Sequence, residues 1–155
     1  MDAPLFAFTP HTSSPPFIHQ LTTINIMSHF TTIHTQIKDL DALRDACNEL
    51  GLTFRKNATC RGYANTTRLA PHVIQLKGPY DIAVEPDTEN NGGYGLTTDW
   101  WDGHVAREVG IGYGRLLQSY GIHKTMREAR TRGLRVHRQL EQDGSVLLTL
   151  EGGRL

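Results

Sequence analysis

Cysteine is scarce in this chain. There are two among 155 residues, Cys47 and Cys60. Two thiols cannot build a disulfide framework, so the fold must rest on a core, and a reducing compartment is expected. Long apolar runs are also missing. None approaches the roughly 18 residues of a membrane-spanning helix, so no membrane partner is expected. Neither sign of charge is in excess, with 16 Lys+Arg against 16 Asp+Glu. That balance excludes a uniformly basic nucleic-acid binder and an acidic solvating protein. Residues 1–26 lack Lys and Arg altogether and hold four of the seven prolines, Pro4, Pro10, Pro15 and Pro16. A secretory signal needs a basic start and a longer apolar stretch, and a transit peptide needs arginines. The expectation is a disordered N-terminal extension over 1–26, or a mis-assigned start ahead of Met27. A single domain over 27–150 and a short tail over 151–155 complete the expected organisation.

From Met27 the chain is patterned. Phe30 to Ile37 is rich in Thr and Ile and predicts a strand. Asp39 is suited to an N-cap. Leu43, Ala46, Cys47 and Leu50 follow helical spacing, and Gly51 supplies a C-terminal stop. Leu52 to Arg55 predicts a short strand, residues 56–71 an irregular polar stretch, and Val73 to Lys77 a β-like run. Gly78-Pro79 marks a turn. Tyr80, Ile82 and Val84 alternate with Asp81 and Glu85, predicting a strand with one buried face. A loop over 86–93 and a return strand over Tyr94 to Thr98 complete a meander.

A second helix is predicted from about Ile111 to Thr131. Leu116, Leu117 and Tyr120 share one side of it, and Ile122, Met126 and Ala129 the opposite side. It must therefore break near Gly121 or be covered twice. Asp143-Gly144 signals a hairpin, with Val146, Leu148 and Leu150 as the buried face of the last strand. The predicted class is α+β, a mainly antiparallel sheet with two principal helices packed on one face.

Several of these segments resemble a known family. Met27-Ser28-His29-Phe30-Thr31-Thr32-Ile33, with Thr35-Gln36-Ile37 and Asp39, is similar to the opening of a conserved hypothetical chloroplast reading-frame family, number thirty-five. Tyr80-Asp81-Ile82, Asp99-Trp100-Trp101, Gln118, Tyr120, His123-Lys124 and Gly133-Leu134 fit the same pattern. The resemblance covers roughly residues 27–150, and the stretch Gly103–Gly114 departs from it. It implies a small protein of plastids and photosynthetic bacteria, with no assigned activity, cofactor or catalytic residue. The expected location is the bacterial cytoplasm or the plastid stroma.

Charge is blocked along the chain. Residues 78–106 hold six acids and no Lys or Arg, whereas 107–138 hold eight basic residues against two acids. Lys124, Arg127, Arg130, Arg132, Arg135 and Arg138 are either a solvated face paired to the acidic loops or a patch for an acidic or phosphate-bearing partner. No nucleic-acid motif or aromatic ladder accompanies them, so nucleic acid over 124–138 is the weakest reading.

Asp99-Trp100-Trp101-Asp102 places both tryptophans side by side. In a strand one faces the core, and the other is either an edge cover or an anchor for a partner. Tyr120, His123 and Lys124 fall within one helical turn and form either a packing detail or a polar site. No His/Cys set has metal-ligand spacing, and no metal or cofactor is expected. Cys60, beside Arg61, is a weak nucleophile candidate without an orienting His–Asp set. Gly110 to Gly114 reads as a permissive loop rather than an anion cradle.

The leading expectation is a non-enzymatic accessory or adaptor domain that binds another protein. Its candidate binding residues are Asp99, Trp100, Trp101, Tyr120, His123, Lys124, Arg127 and Arg130. The alternative is an enzyme or ligand-binding domain for an anionic metabolite, using Tyr120, His123 and Lys124.

Overall fold

A computed structural model describes residues 31–89 and 92–152, and side chains from residue 37 onward within them. The expectations for 1–26 and for Met27 to Phe30 lie outside the described residues. The elements are β1 (Thr31–Ile37), α1 (Leu40–Glu49), β2 (Thr53–Arg61), β3 (Thr67–Gln75), β4 (Ile82–Asp87), β5 (Gly93–Thr98), α2 (His104–Val109), α3 (Gly114–Thr131), β6 (Arg135–Leu140) and β7 (Val146–Glu151). Strands β1 to β5 form one antiparallel sheet in the order β1-β5-β4-β3-β2. Strands β6 and β7 form a separate hairpin. The chain is α+β, as its patterning predicted.

Helix α1 starts where Asp39 accepts the Ala42 N–H at 2.9 Å. It ends at Gly51, whose φ of +71° suits glycine, with the Leu52 N–H returning to the Cys47 carbonyl. It connects the two opposite edges of the sheet, β1 and β2. Its buried residues Ala42, Leu43, Ala46 and Cys47 belong to the same core cluster as Ile74, Ile82, Val84 and Leu96 of the sheet.

Two expectations are corrected, and one short helix is added. The stretch 56–71 is a long hairpin, β2 and β3, closed by a turn at Tyr63–Asn65 where Ala64 and Asn65 take left-handed φ. β2 is an edge strand with mostly exposed side chains, so it carries no apolar alternation to read. Strand β4 is buried on both faces: Ala83 joins Cys60, Ala70 and Val73 in a second small cluster, while Ile82 and Val84 join the main core. Residues 104–109 form a short helix, α2, which inserts Val105 and Val109 into the main core.

The glycine stretch after α2 is a tight turn rather than a slack loop. It buries Tyr113 completely, and a Cβ on Gly110 would meet the Arg115 backbone nitrogen at 2.8 Å.

Helix α3 runs unbroken through Gly121, so the second of the two geometric options holds. Leu116 and Tyr120 face the main core. Ile122 and Ala129 are buried outside it, on the opposite side, and α3 also contacts β6 and β7.

Candidate functional site

The candidate residues fall into two separate places. The first lies just past β5. Asp99 is 2% exposed. Its carboxylate accepts the Tyr63 N–H at 3.0 Å through one oxygen and the Trp101 N–H at 3.1 Å through the other. One buried carboxylate thus ties the β2–β3 turn to the end of β5. The consequence is an aromatic pair: the Tyr63 and Trp101 rings lie 5.4 Å apart, tilted by 57°. Both are solvent-facing, Tyr63 at 37% and Trp101 at 45% exposed.

Trp100 turns the other way, against the main core, with its ring 4.7 Å from Tyr113. The two tryptophans separate as strand neighbours would, although both follow the strand's end and Trp101 opens a turn. Nearby, Tyr80 meets His104 edge-on at 5.4 Å. Desolvation, then the Asp99 carboxylate, the Tyr63 phenol and the Asp102 carboxylate, push the Tyr80 phenol up. Asp102 itself has a left-handed φ of +53° and an exposed side chain.

The second place is the α1–α3 seam. The Tyr120 hydroxyl accepts the Lys38 and Asp39 N–H groups at 2.9 and 3.2 Å, pinning the link between β1 and α1. His123 Nε2 lies 2.5 Å from Glu49. Lys124 turns along its own helix to Glu128 at 3.8 Å. Tyr120, His123 and Lys124 therefore do not converge on one point.

Arg127 reaches Asp45 at 3.1 Å, Asp41 at 3.4 Å and Asp39 at 3.6 Å. Glu49 also accepts from Arg138 of β6 at 2.6 Å and from Ser119 at 3.2 Å. The Arg138 hydrogen bond, foremost, holds the Glu49 carboxyl well below its usual range, at about 2. An open cleft of about 590 Å³ lies between α1, α3 and β6, with Arg130 exposed on its wall beside His123 and Arg138.

This arrangement corrects the expected pairing of charges. Arg127 of α3 and Arg138 of β6 pair with α1 and its cap, not with the acidic loops of 78–106. A signal for it was present: Asp41, Asp45 and Glu49 recur every four residues, one stripe of a helix, and His123 and Arg127 are spaced the same way. Acids of 78–106 turn elsewhere. Asp81, fully buried, binds the Arg61 guanidinium through both oxygens at 2.7 and 2.8 Å and also accepts the Arg61 and Leu76 N–H groups. Glu85 pairs with Arg68 at 2.6 Å.

Sequence reasoning missed Asp81, because alternation placed it on a polar face. Cys60 is likewise corrected. It is buried in β2, and desolvation, followed by the charge of Asp81, pushes its thiol up to about 12, the opposite of activation. Among the described residues, no helix is long and apolar enough to cross a membrane. Nor do three or more His, Cys, Asp or Glu side chains among them group as metal ligands.

Fold and site together define a small α+β domain whose helices α1 and α3 are joined by an ion-pair seam and which carries a solvent-facing aromatic pair. The chain belongs to the family described as a protein of unknown function (DUF1257), whose model matches residues 46–149. It is 29% identical over 130 residues to the uncharacterized protein ycf35 of Guillardia theta, covering 83% of this chain and 99% of that one. It is also 29% identical over 135 residues to the uncharacterized protein ycf35 of Pyropia yezoensis, covering 81% and 97%. The resemblance read from the sequence is to this same family. No solved structure matches the chain.

Proposed function

We propose that this protein is a non-enzymatic accessory domain that binds another protein, with the Tyr63–Trp101 pair as its anchor. The observation that carries the reading is the exposed Trp101 ring resting on Tyr63, with the buried Asp99 carboxylate holding both backbones. Large rigid aromatic side chains held at a surface are the usual anchors of protein interfaces, because little conformational freedom is lost when they are covered. Trp100, which packs on the core, serves as support rather than contact.

The alternative, an anionic ligand at Tyr120, His123 and Lys124, draws less support, since each of the three has a different partner within the protein. Arg130, exposed in the α1–α3–β6 cleft, is the residue that favours it. Relatives in Guillardia theta and Pyropia yezoensis support the plastid among the expected locations.

Affinity capture from native extract tests the reading. A protein retained by the wild type should be lost with Trp101→Ala and kept with Arg130→Ala. Retention that ignores Trp101→Ala but disappears with Arg130→Ala would transfer the function to the cleft.

A further inference from the structure

The aromatic pair stands in an acidic setting, and this narrows the chemistry of what docks there. We propose that the Tyr63–Trp101 corner, with Asp102 at its rim, receives an arginine or lysine side chain of the partner protein; this rests on the docking reading above.

Two rings tilted by 57° with centroids 5.4 Å apart present their faces at an angle. Ring faces carry the negative end of the aromatic quadrupole, and a guanidinium or ammonium within about 6 Å of one is attracted to it. The surroundings add charge of the same sign. The Asp99 carboxylate holds the backbones of both residues of the pair, and Asp102 directly follows Trp101. After desolvation, the largest cause, the charges of Asp99 and Asp102 add to the upward push on the nearby Tyr80 phenol.

Asp102 is 68% exposed, in a turn where it and Gly103 take left-handed φ of +53° and +69°. One cation is already nearby. Arg107 donates to the Asp102 carbonyl at 3.2 Å rather than to its carboxylate, which has His104 at 3.6 Å as its ion-pair partner. With 68% of its side chain exposed, the Asp102 carboxylate can meet an incoming cation from the solvent side.

The test is a titration with fluorescently labelled hexa-arginine, and with hexa-glutamate as control, at about 50 mM salt. Hexa-arginine should bind saturably and hexa-glutamate should not. Trp101→Ala should weaken binding about tenfold, and Asp102→Asn about threefold. Trp101→Phe should retain most of it. Glu89→Gln, which removes an acid of the 78–106 segment away from the corner, should leave it unchanged. Circular dichroism confirms that each variant is folded.

Equal binding by the wild type and Trp101→Ala overturns the proposal. So does a Glu89→Gln loss as large as that of Asp102→Asn, since binding would then follow overall charge. The two readings fail separately. Trp101-dependent capture of a partner without Trp101-dependent hexa-arginine binding rejects the cation and keeps the docking surface. Capture indifferent to Trp101 rejects the docking surface itself.

Discussion

The five-stranded sheet and the β6–β7 hairpin share antiparallel pairing but differ in what covers them. In the sheet, Ile74, Ile82, Val84 and Leu96 are fully buried beneath α1, α2 and α3. In the hairpin no residue is buried, and Leu140, Leu147 and Leu150 are 73%, 52% and 48% exposed. The expected buried face of β7 is corrected accordingly: Val146 and Leu148 are half-buried and Leu150 is exposed.

The alternation of side chains looks alike in both places. It shows that a strand has an apolar side, and it does not show that anything packs there. A two-stranded hairpin is marginal by itself. This one is attached by the Arg138–Glu49 ion pair, by Gln118 donating to the Gly144 carbonyl at 3.1 Å, and by contact with α3.

Substitutions can break or sharpen this comparison. The largest loss is expected at Ile82→Ala in the doubly covered strand, about 4 kcal/mol by urea denaturation, from lost transfer energy and the remaining cavity. A value below about 1 kcal/mol would remove the distinction between sheet and hairpin. Asp81→Asn should cost about 3 kcal/mol, since it strips a buried carboxylate from a guanidinium and leaves two N–H donors poorly matched. The loss stays below the full value for a buried pair because Arg61 is itself 45% exposed.

Tyr120→Phe should cost about 1.5 kcal/mol, because two backbone N–H groups lose their acceptor while the ring still fills the core.

Glu49 tests how the hairpin is held. Its folded carboxyl titrates at about 2 against an ordinary 4.5. Its stabilisation is therefore complete above about pH 4.5 and is lost as pH falls toward 2. Solvent screening reduces it to about 1 kcal/mol. Glu49→Gln should remove that much at pH 7 and flatten stability between pH 4.5 and 2, with hydrogen exchange rising first in β6 and β7. The smallest effect is expected at Leu140→Ala, about 0.5 kcal/mol or less, because most of that side chain is already in water.

Legibility followed the range of the interactions. The Asp39 cap, the Gly51 stop and the α1 face were readable because their partners lie within a few residues. So was the meander from β3 to β5, whose boundaries are marked by a Gly-Pro turn and a polar loop. The β2–β3 hairpin was not, because an exposed edge strand has no reason to alternate. Helix α2 was not, because one short turn bearing two valines leaves too little periodicity. At the candidate site, Trp101 was legible as a residue out of place. Tyr63, which completes the pair, was not, because Asp99 joins it from 36 residues away.

The chain by itself determined the α+β class, the main helices, and a zero net charge assembled from opposed blocks. Those properties depend on composition and on neighbours in sequence. Tertiary structure alone decided where each block turned. Arg127 meets Asp41 and Asp45 across 86 and 82 residues, and Arg138 meets Glu49 across 89. Two residues of the basic stretch, Arg127 and Arg138, therefore join α3 and β6 to α1, while the acidic stretch keeps Asp102 at the surface beside Trp101. The reason is physical: periodicity orients a side chain relative to its own element, but only packing selects what that side chain faces.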